Sequence, residues 1–500
     1  MNDVNHLSPL RSSRALFYAL ISGLILVCAF SPISMGFLAY GALIPLLITA
    51  EYSGCKRMFG LSYLTGIVFL GISLFWIRHV TWIGMIGAVI VLALFFTLPF
   101  LILVMFRGYS GLFLFPFAVA GIEWIRSFDQ LAFPWMVLGN SQTSYPWLIQ
   151  FADITSVYGI SWWLSLINVT LYLIIRRRSL VWIVFLVILF LLPFSYSWVV
   201  MHSDKDSENK LTVALVQGNV LPDEKWEDDL ELWNLDLYLN MTRKALIYNP
   251  DIIIWPETAI PFYLLDNRWY RSYQHTLHSF VDSIGVPILS GIPSYDPSIN
   301  EKWNSAGLFL PWERQVKRYH KIHLVPFGEA FPMDSIFPKL REIDVGQANW
   351  EEGNEVVVFE PPGIPPFNVA ICFESIFPDL IRKFIERGSH FIVVITNDVW
   401  FGSYAAPIQH AMISVMRAIE FHRPVVRCAN TGISMIIDSY GRVVERTNTF
   451  ERTILVGTIT PHSRKTFYLR HGNIFSLLSF FISLSAVMFY FIKRFRTKRG

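Results

Sequence analysis

Seven apolar runs occupy the first 203 residues, at roughly 14–31, 35–51, 59–77, 83–106, 110–127, 157–175 and 180–200, and an eighth follows at roughly 473–492. A bilayer core about 30 Å thick needs about 20 apolar residues per helix. The pattern therefore predicts a multi-pass α-helical membrane domain of about eight transmembrane helices. The fifth run ends among Glu123, Arg126 and Asp129. The stretch 131–158 is aromatic and only weakly polar, which reads as a re-entrant or interfacial segment.

From Leu211 the pattern changes to short β-branched runs that stop at turn or polar residues: LTVALVQGN, DIIIWPE, VPILSGIP, NSAGLFL, VVVFE, NVAICFE, HFIVVITND, PVVRCANTG, SMIIDSYG and TILVGTI. Runs of this length and composition are buried strands. Between several of them lie helical stretches, Asp229–Ile247, Tyr270–Ile284, Pro378–Arg387 and Ile408–Phe421. An α/β layered domain is expected. Three regions result: a helical bundle over 1–203, an α/β domain over 204–470 and a last helix with a basic tail over 471–500.

Charge follows the same division. Residues 1–203 hold 10 basic and 5 acidic side chains, whereas 204–470 hold 26 and 33. The chain as a whole is only 16% charged, against roughly 25% for a soluble domain. Nucleic-acid binding, which needs a basic face, finds no support. Basic residues collect at alternate helix ends: Arg11 and Arg14, Lys56 and Arg57, Arg107, Arg176–Arg178, then Lys493, Arg494, Arg496, Lys498 and Arg499. Lys and Arg mark the cytoplasmic side. Both termini are thus expected in the cytoplasm and the α/β domain on the opposite face, the periplasm if the cell has an outer membrane. Arg11 and Arg14 before an apolar run imitate a signal peptide, but further apolar runs follow at once and a retained first helix is expected.

Four cysteines, at 28, 55, 372 and 428, are too few and too scattered for a disulfide framework or a CxxC metal site. Any cysteine chemistry rests on one thiol. Candidate groups stand where apolar strands end, the place where α/β sheets expose ligands. Glu257 follows Ile252–Trp255, Lys321 lies in RYHKIHLVPFGEAF with Glu329 eight residues later, and Cys372 ends NVAIC. A carboxylate can take the proton of a thiol while an ammonium group stabilises the thiolate, and lysine with a backbone amide can hold an oxyanion. Acyl transfer through a thioester is the natural reaction class. A serine triad lacks its GxSxG elbow, and His320 and His323 form no HExxH pattern.

Four segments in order, WPE at 255–257, KIHLVPFGE at 321–329, ICFE at 371–374 and TNDVWFG at 396–402, resemble the carbon-nitrogen hydrolase, or nitrilase, superfamily. Set among membrane helices, they resemble its membrane-bound branch, the apolipoprotein N-acyltransferase family, over nearly the whole chain. The resemblance implies a nitrilase-like αββα sandwich with Glu257 as general base, Lys321 as oxyanion and thiolate stabiliser, and Cys372 as nucleophile. It also implies that Glu329 orients the lysine, and it matches Trp226 and Glu374 to positions tied to activity. Phe373 departs from the family, where tyrosine is common. A ping-pong reaction is implied: an acyl chain passes from the sn-1 ester of a phospholipid to Cys372, then to the α-amine of a diacylglyceryl-cysteine in an apolipoprotein. The partners are a phospholipid donor, diacylglyceryl-modified apolipoproteins and membrane lipid, with no metal, cofactor or nucleic acid.

Taken singly, each of these residues has a plainer reading: Cys372 as a core thiol, Lys321 as a surface lysine, Glu257 as a helix cap, Trp226 as an interface anchor. Cys428 reads as core packing, and His410, Arg417, Glu420 and Arg423 as a structural network on one helix. Two rival functions use the same sequence: a membrane-anchored nitrilase-like amidase that gives its acyl group to water, and a transporter or scaffold with a degenerate domain. Segments 258–270 and 331–355, rich in aromatics and proline, are candidates for a mobile rim.

Overall fold

The computed structural model describes residues 11–128, 132–203, 210–225, 230–331, 350–402 and 405–499. Trp226 and most of the 331–355 stretch lie outside them. The chain divides into two compact units, one of residues 1–78, 82–203 and 471–500, the other of residues 79–81 and 204–470.

In the helical unit, six long apolar helices span Ser12–Ala29, Cys55–Ser73, Trp82–Phe106, Gly108–Ile125, Ala152–Arg177 and Leu180–Ser203, and a seventh spans Ile474–Arg499. Among the described residues, these seven are long and apolar enough to cross a membrane. The eighth span expected at 35–51 is instead a 3-10 turn, Gly36–Tyr40, and a two-turn helix, Ile44–Glu51. Pro45 sits at the start of that helix, where a residue without an N–H is tolerated but cannot continue a preceding helix. The broken backbone is satisfied by Asn168, whose Oδ1 accepts from the Leu43 N–H at 2.9 Å while its Nδ2 donates to the Ala39 carbonyl at 2.8 Å.

The 131–158 stretch behaves likewise. Residues 134–143 are buried inside the helical unit rather than laid along its surface. Leu138 N–H donates to Glu123 Oε1 at 2.8 Å, Gly139 N–H to Ser161 Oγ at 2.8 Å, and Gln142 Nε2 to the Gly36 carbonyl at 2.8 Å. Irregular backbone at membrane depth survives only where the protein supplies such partners. That gives Glu123, an acid at the end of a membrane helix, a structural use.

The second unit is an α/β domain of two six-stranded sheets. The first sheet begins with β1 Leu211–Gln217, β2 Ile252–Ile254, β3 Ile288–Asp296, β4 Glu301–Phe309 and β5 Lys317–His320. The second holds β6 Val358–Phe359, β7 Phe367–Ile371, β8 Phe391–Thr396, β9 Val425–Ala429, β10 Met435–Ile437 and β11 Val443–Arg446. The chain then returns as β12, Thr453–Ile459, to pair antiparallel with β1. The first sheet runs β12-β1-β2-β3-β4-β5 and the second β11-β10-β9-β8-β7-β6. At each centre the strands are parallel, β1 with β2 and β2 with β3, then β7 with β8 and β8 with β9. Such strands are covered on both faces, which is why they are rich in Ile, Val and Leu, as in β2, written III, and β8, written FIVVIT.

The sheets pack face to face through residues such as Cys428 on β9, whose thiol lies 3.2 Å from the Ile254 carbonyl on β2. Helices Glu231–Ala245 and Arg271–Ile284 cover the outer face of the first sheet, burying Leu235, Tyr238, Leu277 and Val281 against Val216, Ile253, Trp255 and Ile288. Helices Pro378–Glu386 and Ala405–Phe421 pack on the second sheet. The result is the expected αββα sandwich.

Candidate active site

Glu257 lies just beyond β2, Lys321 follows β5 directly, and Cys372 follows β7 directly. Two of these strands belong to one sheet and the third to the other. The site is therefore assembled across the sandwich. Cys372 has φ +53°, a left-handed conformation that a side chain with a Cβ rarely adopts, and opens the tight turn Cys372–Ile376. A strand that stops in such a turn presents its terminal thiol rather than packing it into the sheet. Thr258, next to Glu257, is also left-handed at φ +47°. It is tied by buried Lys225, whose Nζ donates to Thr258 Oγ1 at 2.6 Å and to the Glu257 carbonyl at 3.3 Å.

The charged groups converge. Lys321 is fully buried, and its Nζ stands 2.8 Å from Glu329 and 3.7 Å from Glu257. Asn304 on β4 bridges the two acids, its Nδ2 donating to Glu257 Oε1 at 2.7 Å and Glu329 Oε1 at 3.2 Å. The Asn397 N–H donates to Glu257 Oε2 at 2.7 Å, and the Val325 N–H to Glu329 Oε2 at 2.8 Å. Each oxygen of both carboxylates is thus held by a donor besides the lysine.

Burial raises the Glu257 carboxyl above its ordinary range, Lys321 pulls it back, and Glu329 and the site's hydrogen bonds modulate the result. Lys321 is pushed down by burial, but Glu329, Glu257 and Cys372 outweigh that and keep it firmly an ammonium. Burial and the neighbouring Glu257 push the Cys372 thiol well up, against the pull of Lys321. At rest the sulfur therefore carries its proton, and a base of raised affinity lies in the same electrostatic neighbourhood.

Glu374 plays a different part from a group aimed at substrate. Its Oε1 accepts from the Tyr319 hydroxyl at 2.6 Å and from the Ile322 and His323 N–H groups at 2.6 and 3.2 Å, and its Oε2 from the Ile371 N–H at 2.7 Å. It staples the lysine-bearing segment to the strand that ends at Cys372. Burial raises its carboxyl to about 7 in spite of those four donors. Phe373 is buried, its ring edge-on to Phe377 at 5.1 Å between centroids. Trp226 lies outside the described residues.

The carbon-nitrogen hydrolase profile matches residues 212–467, and that of the apolipoprotein N-acyltransferase N-terminal domain matches residues 22–170. Apolipoprotein N-acyltransferase of Geobacter metallireducens is 34% identical over 482 residues, 92% of each chain. Those of Chlorobaculum tepidum and Pasteurella multocida are 32% and 30% identical, covering 92% and 91% of this chain and 94% and 92% of theirs. The chain belongs to the apolipoprotein N-acyltransferase family. Among solved structures, Saccharomyces cerevisiae Nit3 of the nitrilase superfamily aligns with 54% of this chain and 98% of its own, at 17% identity and TM-score 0.41.

In this apolipoprotein N-acyltransferase family member, the polar groups beneath Cys372 are His410, which the sequence assigns to a structural network, and Asp398 and Arg427, to which it assigns no role. His410, assigned there to a structural network, has Nε2 3.0 Å from the Cys372 carbonyl oxygen and 3.0 Å from Ser375 Oγ. Its Nδ1 lies 2.9 Å from Asp398 Oδ1, and Arg427 Nη2 donates to Asp398 Oδ2 at 2.8 Å. All three are fully or almost fully buried. Burial opposes ionisation of Asp398, but Arg427 and His410 hold its carboxyl down to about 2, while burial and Arg427 push the His410 imidazole down and Asp398 pulls it back up. Cys372, Asp398 and His410 place ligand atoms within 4.8 Å of one another. Yet the guanidinium of Arg427 already holds the cation position at that carboxylate, so the cluster fits a fixed ion pair better than a metal. Arg417 and Glu420 do form a buried pair at 3.0 Å, and Arg417 Nη1 donates to the Ile376 carbonyl at 3.3 Å, at the end of the turn that Cys372 opens. The legible signals were Asp398, inside the quoted TNDVWFG segment, and Asn304, which opens the quoted NSAGLFL strand.

Proposed function

We propose that the protein transfers an acyl chain from the sn-1 ester of a phospholipid to the N-terminal α-amine of a diacylglyceryl-cysteine in an apolipoprotein, through a thioester on Cys372. The observation that carries this reading is the buried Glu257–Lys321–Glu329 cluster electrostatically coupled to the strained Cys372, within a chain of this family. In the first half-reaction Cys372 Sγ attacks the ester carbonyl while Glu257 takes the thiol proton. The C–O bond breaks, and the proton passes to the departing lysophospholipid oxygen. Lys321 stabilises the oxyanion that forms between these steps. In the second half-reaction the α-amine attacks the thioester, Glu257 takes a proton from nitrogen, and the C–S bond breaks. That proton returns to the sulfur as the amide forms. A carboxylate of raised proton affinity and a protonated thiol suit such shuttling, because the proton can pass from sulfur to Glu257 as the attack proceeds.

Within the helical unit three connections meet at one end, two of them through arginines: Arg107 Nη2 donates to the Ser53 carbonyl at 3.4 Å, Arg176 pairs with Glu51, and the Arg177 guanidinium lies 5.7 Å from the Tyr109 ring centre. With lysine and arginine marking the cytoplasmic side, this supports cytoplasmic termini. The helix Leu180–Ser203 then leads away from that end, and we place the catalytic domain, which follows it in the chain, in the periplasm. Both substrates keep their acyl chains in the bilayer while presenting polar groups to such a domain.

The test is the intact mass of the purified full chain after incubation with phospholipid and no acceptor. A gain of one fatty-acyl unit, absent in Cys372→Ala and discharged onto a diacylated lipopeptide as a triacylated product, is expected. Release of free fatty acid alone, or equal acylation of Cys372→Ala, would overturn the reading.

A further inference from the structure

The helical unit holds a cavity of about 760 Å³ at its basic end, far larger than the small gaps of packed helices. Its floor is apolar, formed by Leu47, Leu103, Leu112 and Leu173, and its mouth is formed by Arg107, Arg176 and Arg177. These side chains come from the ends of four different helices, Ile44–Glu51, Trp82–Phe106, Gly108–Ile125 and Ala152–Arg177, and from Arg107 between two of them.

The charges at the mouth do not cancel. Glu51 neutralises Arg176, whose Nε donates to Glu51 Oε1 at 3.2 Å and whose Nη2 donates to the Tyr52 hydroxyl at 2.7 Å. Tyr172 donates its hydroxyl to the same carboxylate. Arg107 reaches only a backbone carbonyl, and Arg177 stands over the face of Tyr109. Among the described residues no carboxylate pairs with either. Two guanidinium groups therefore border a cavity whose interior is hydrocarbon, at the end of helices that cross a membrane.

We infer that this cavity binds an anionic glycerophospholipid of the leaflet at the basic end, its phosphate between Arg107 and Arg177 and the first methylenes of its chains against the leucines. Basic pockets between transmembrane helices are suited to acidic headgroups, and arginine's planar fork matches phosphate oxygens. The excess positive charge selects against a zwitterionic headgroup, whose own ammonium would be carried into the same two cations. The lining contains none of Glu257, Lys321 or Cys372. This is a lipid site separate from the one that supplies the acyl chain.

The experiment uses the full chain in detergent and native mass spectrometry with added phosphatidylglycerol, phosphatidylethanolamine or inorganic phosphate. At roughly fivefold per basic contact, the double variant Arg107→Gln/Arg177→Gln should bind phosphatidylglycerol about 25-fold more weakly than the unaltered protein. The charge-preserving Arg107→Lys/Arg177→Lys should recover most of that, and the single Arg177→Gln should lie between. Phosphatidylethanolamine should be retained markedly less than phosphatidylglycerol. Equal retention of the two lipids, phosphatidylglycerol binding unchanged in Arg177→Gln and in the double glutamine variant, or inorganic phosphate binding as tightly as the lipid would each overturn the proposal. Acyl transfer by Cys372 is read separately, so a negative result here leaves that chemistry standing.

Discussion

His410 lies 3.0 Å from the backbone carbonyl of Cys372 through one ring nitrogen and 2.9 Å from Asp398 through the other. A left-handed residue with a Cβ costs about 1–3 kcal/mol and persists only where its surroundings over-determine it. Here the surroundings are a buried histidine backed by an Asp398–Arg427 ion pair, together with the Ser375 hydroxyl, which donates to the same carbonyl at 2.9 Å. The pair acts on chemistry through the turn, as a positioning device. His410→Ala should lower the rate of Cys372 acylation by about 100-fold, the scale of a 1 Å misplacement, with little change in KM for phospholipid. His410→Gln, which keeps a donor, should restore part of it. A merely structural role would instead lower the melting temperature and leave the acylation rate of the surviving folded protein intact.

Lys321 offers a sharper contrast between stability and catalysis. It is buried between two carboxylates, so Lys321→Met leaves Glu257 and Glu329 facing each other without a cation. Breaking a buried pair in this way costs about 3–5 kcal/mol, and thermal unfolding should show it. Glu329→Gln keeps an acceptor toward the ammonium and leaves Glu257 as its counterion, so its stability loss should be the smaller of the two. Single-turnover acylation should nevertheless fall in both, because each disturbs the group that stabilises the oxyanion.

The pH dependence follows from the directions of the shifts. Glu257 is raised by burial above the ordinary 4.5 and must be deprotonated to act as base, so acylation should be lost as pH falls through a value above 4.5. Cys372 is raised too, so at neutral pH it should react with iodoacetamide more slowly than a free thiol. Asp398 moves the other way, from 3.8 down to about 2. Its contribution, about 2 kcal/mol by linkage, is present above 3.8 and lost as pH falls toward 2. Asp398→Asn should flatten that acid limb in a denaturation series and leave the alkylation rate at neutral pH to report whether the thiol has moved.

The catalytic strands were readable because central parallel strands must be apolar on both faces, so β2, β7 and β8 announce where they stop. Two strands gave no such signal: β5, written KRYH, and β11, written VVER, are sheet edges, and β11 is exposed throughout. An edge strand is placed by its neighbour's hydrogen bonds rather than by its own side chains. The same limit hid the support of Cys372. His410 comes from a helix, Asp398 from the end of β8 and Arg427 from β9, and nothing in their spacing distinguishes a buried ion pair from solvated charge. In the membrane, hydropathy counted apolar residues over 35–51 correctly but could not see that Pro45, with Asn168 more than a hundred positions away, makes the segment a broken one.

That broken segment matters for topology, since with six long helices before the catalytic domain the side on which that domain lies depends on whether 36–51 returns the chain across the bilayer. Cys55 is exposed and opens the helix Cys55–Ser73 beside Lys56 and Arg57, at the end where Arg107 reaches Ser53. If the basic end is cytoplasmic, a membrane-permeant maleimide should label Cys55 in spheroplasts and an impermeant one should not until the membrane is opened. Ile299 is 56% exposed on the catalytic unit. Ile299→Cys, made in a Cys55→Ser background, should show the reverse and react with the impermeant reagent at once. The opposite pattern, with Cys55 reached by the impermeant reagent and the Ile299→Cys site protected until the membrane is opened, would mean that 36–51 does not return the chain, and the catalytic domain would then belong in the cytoplasm.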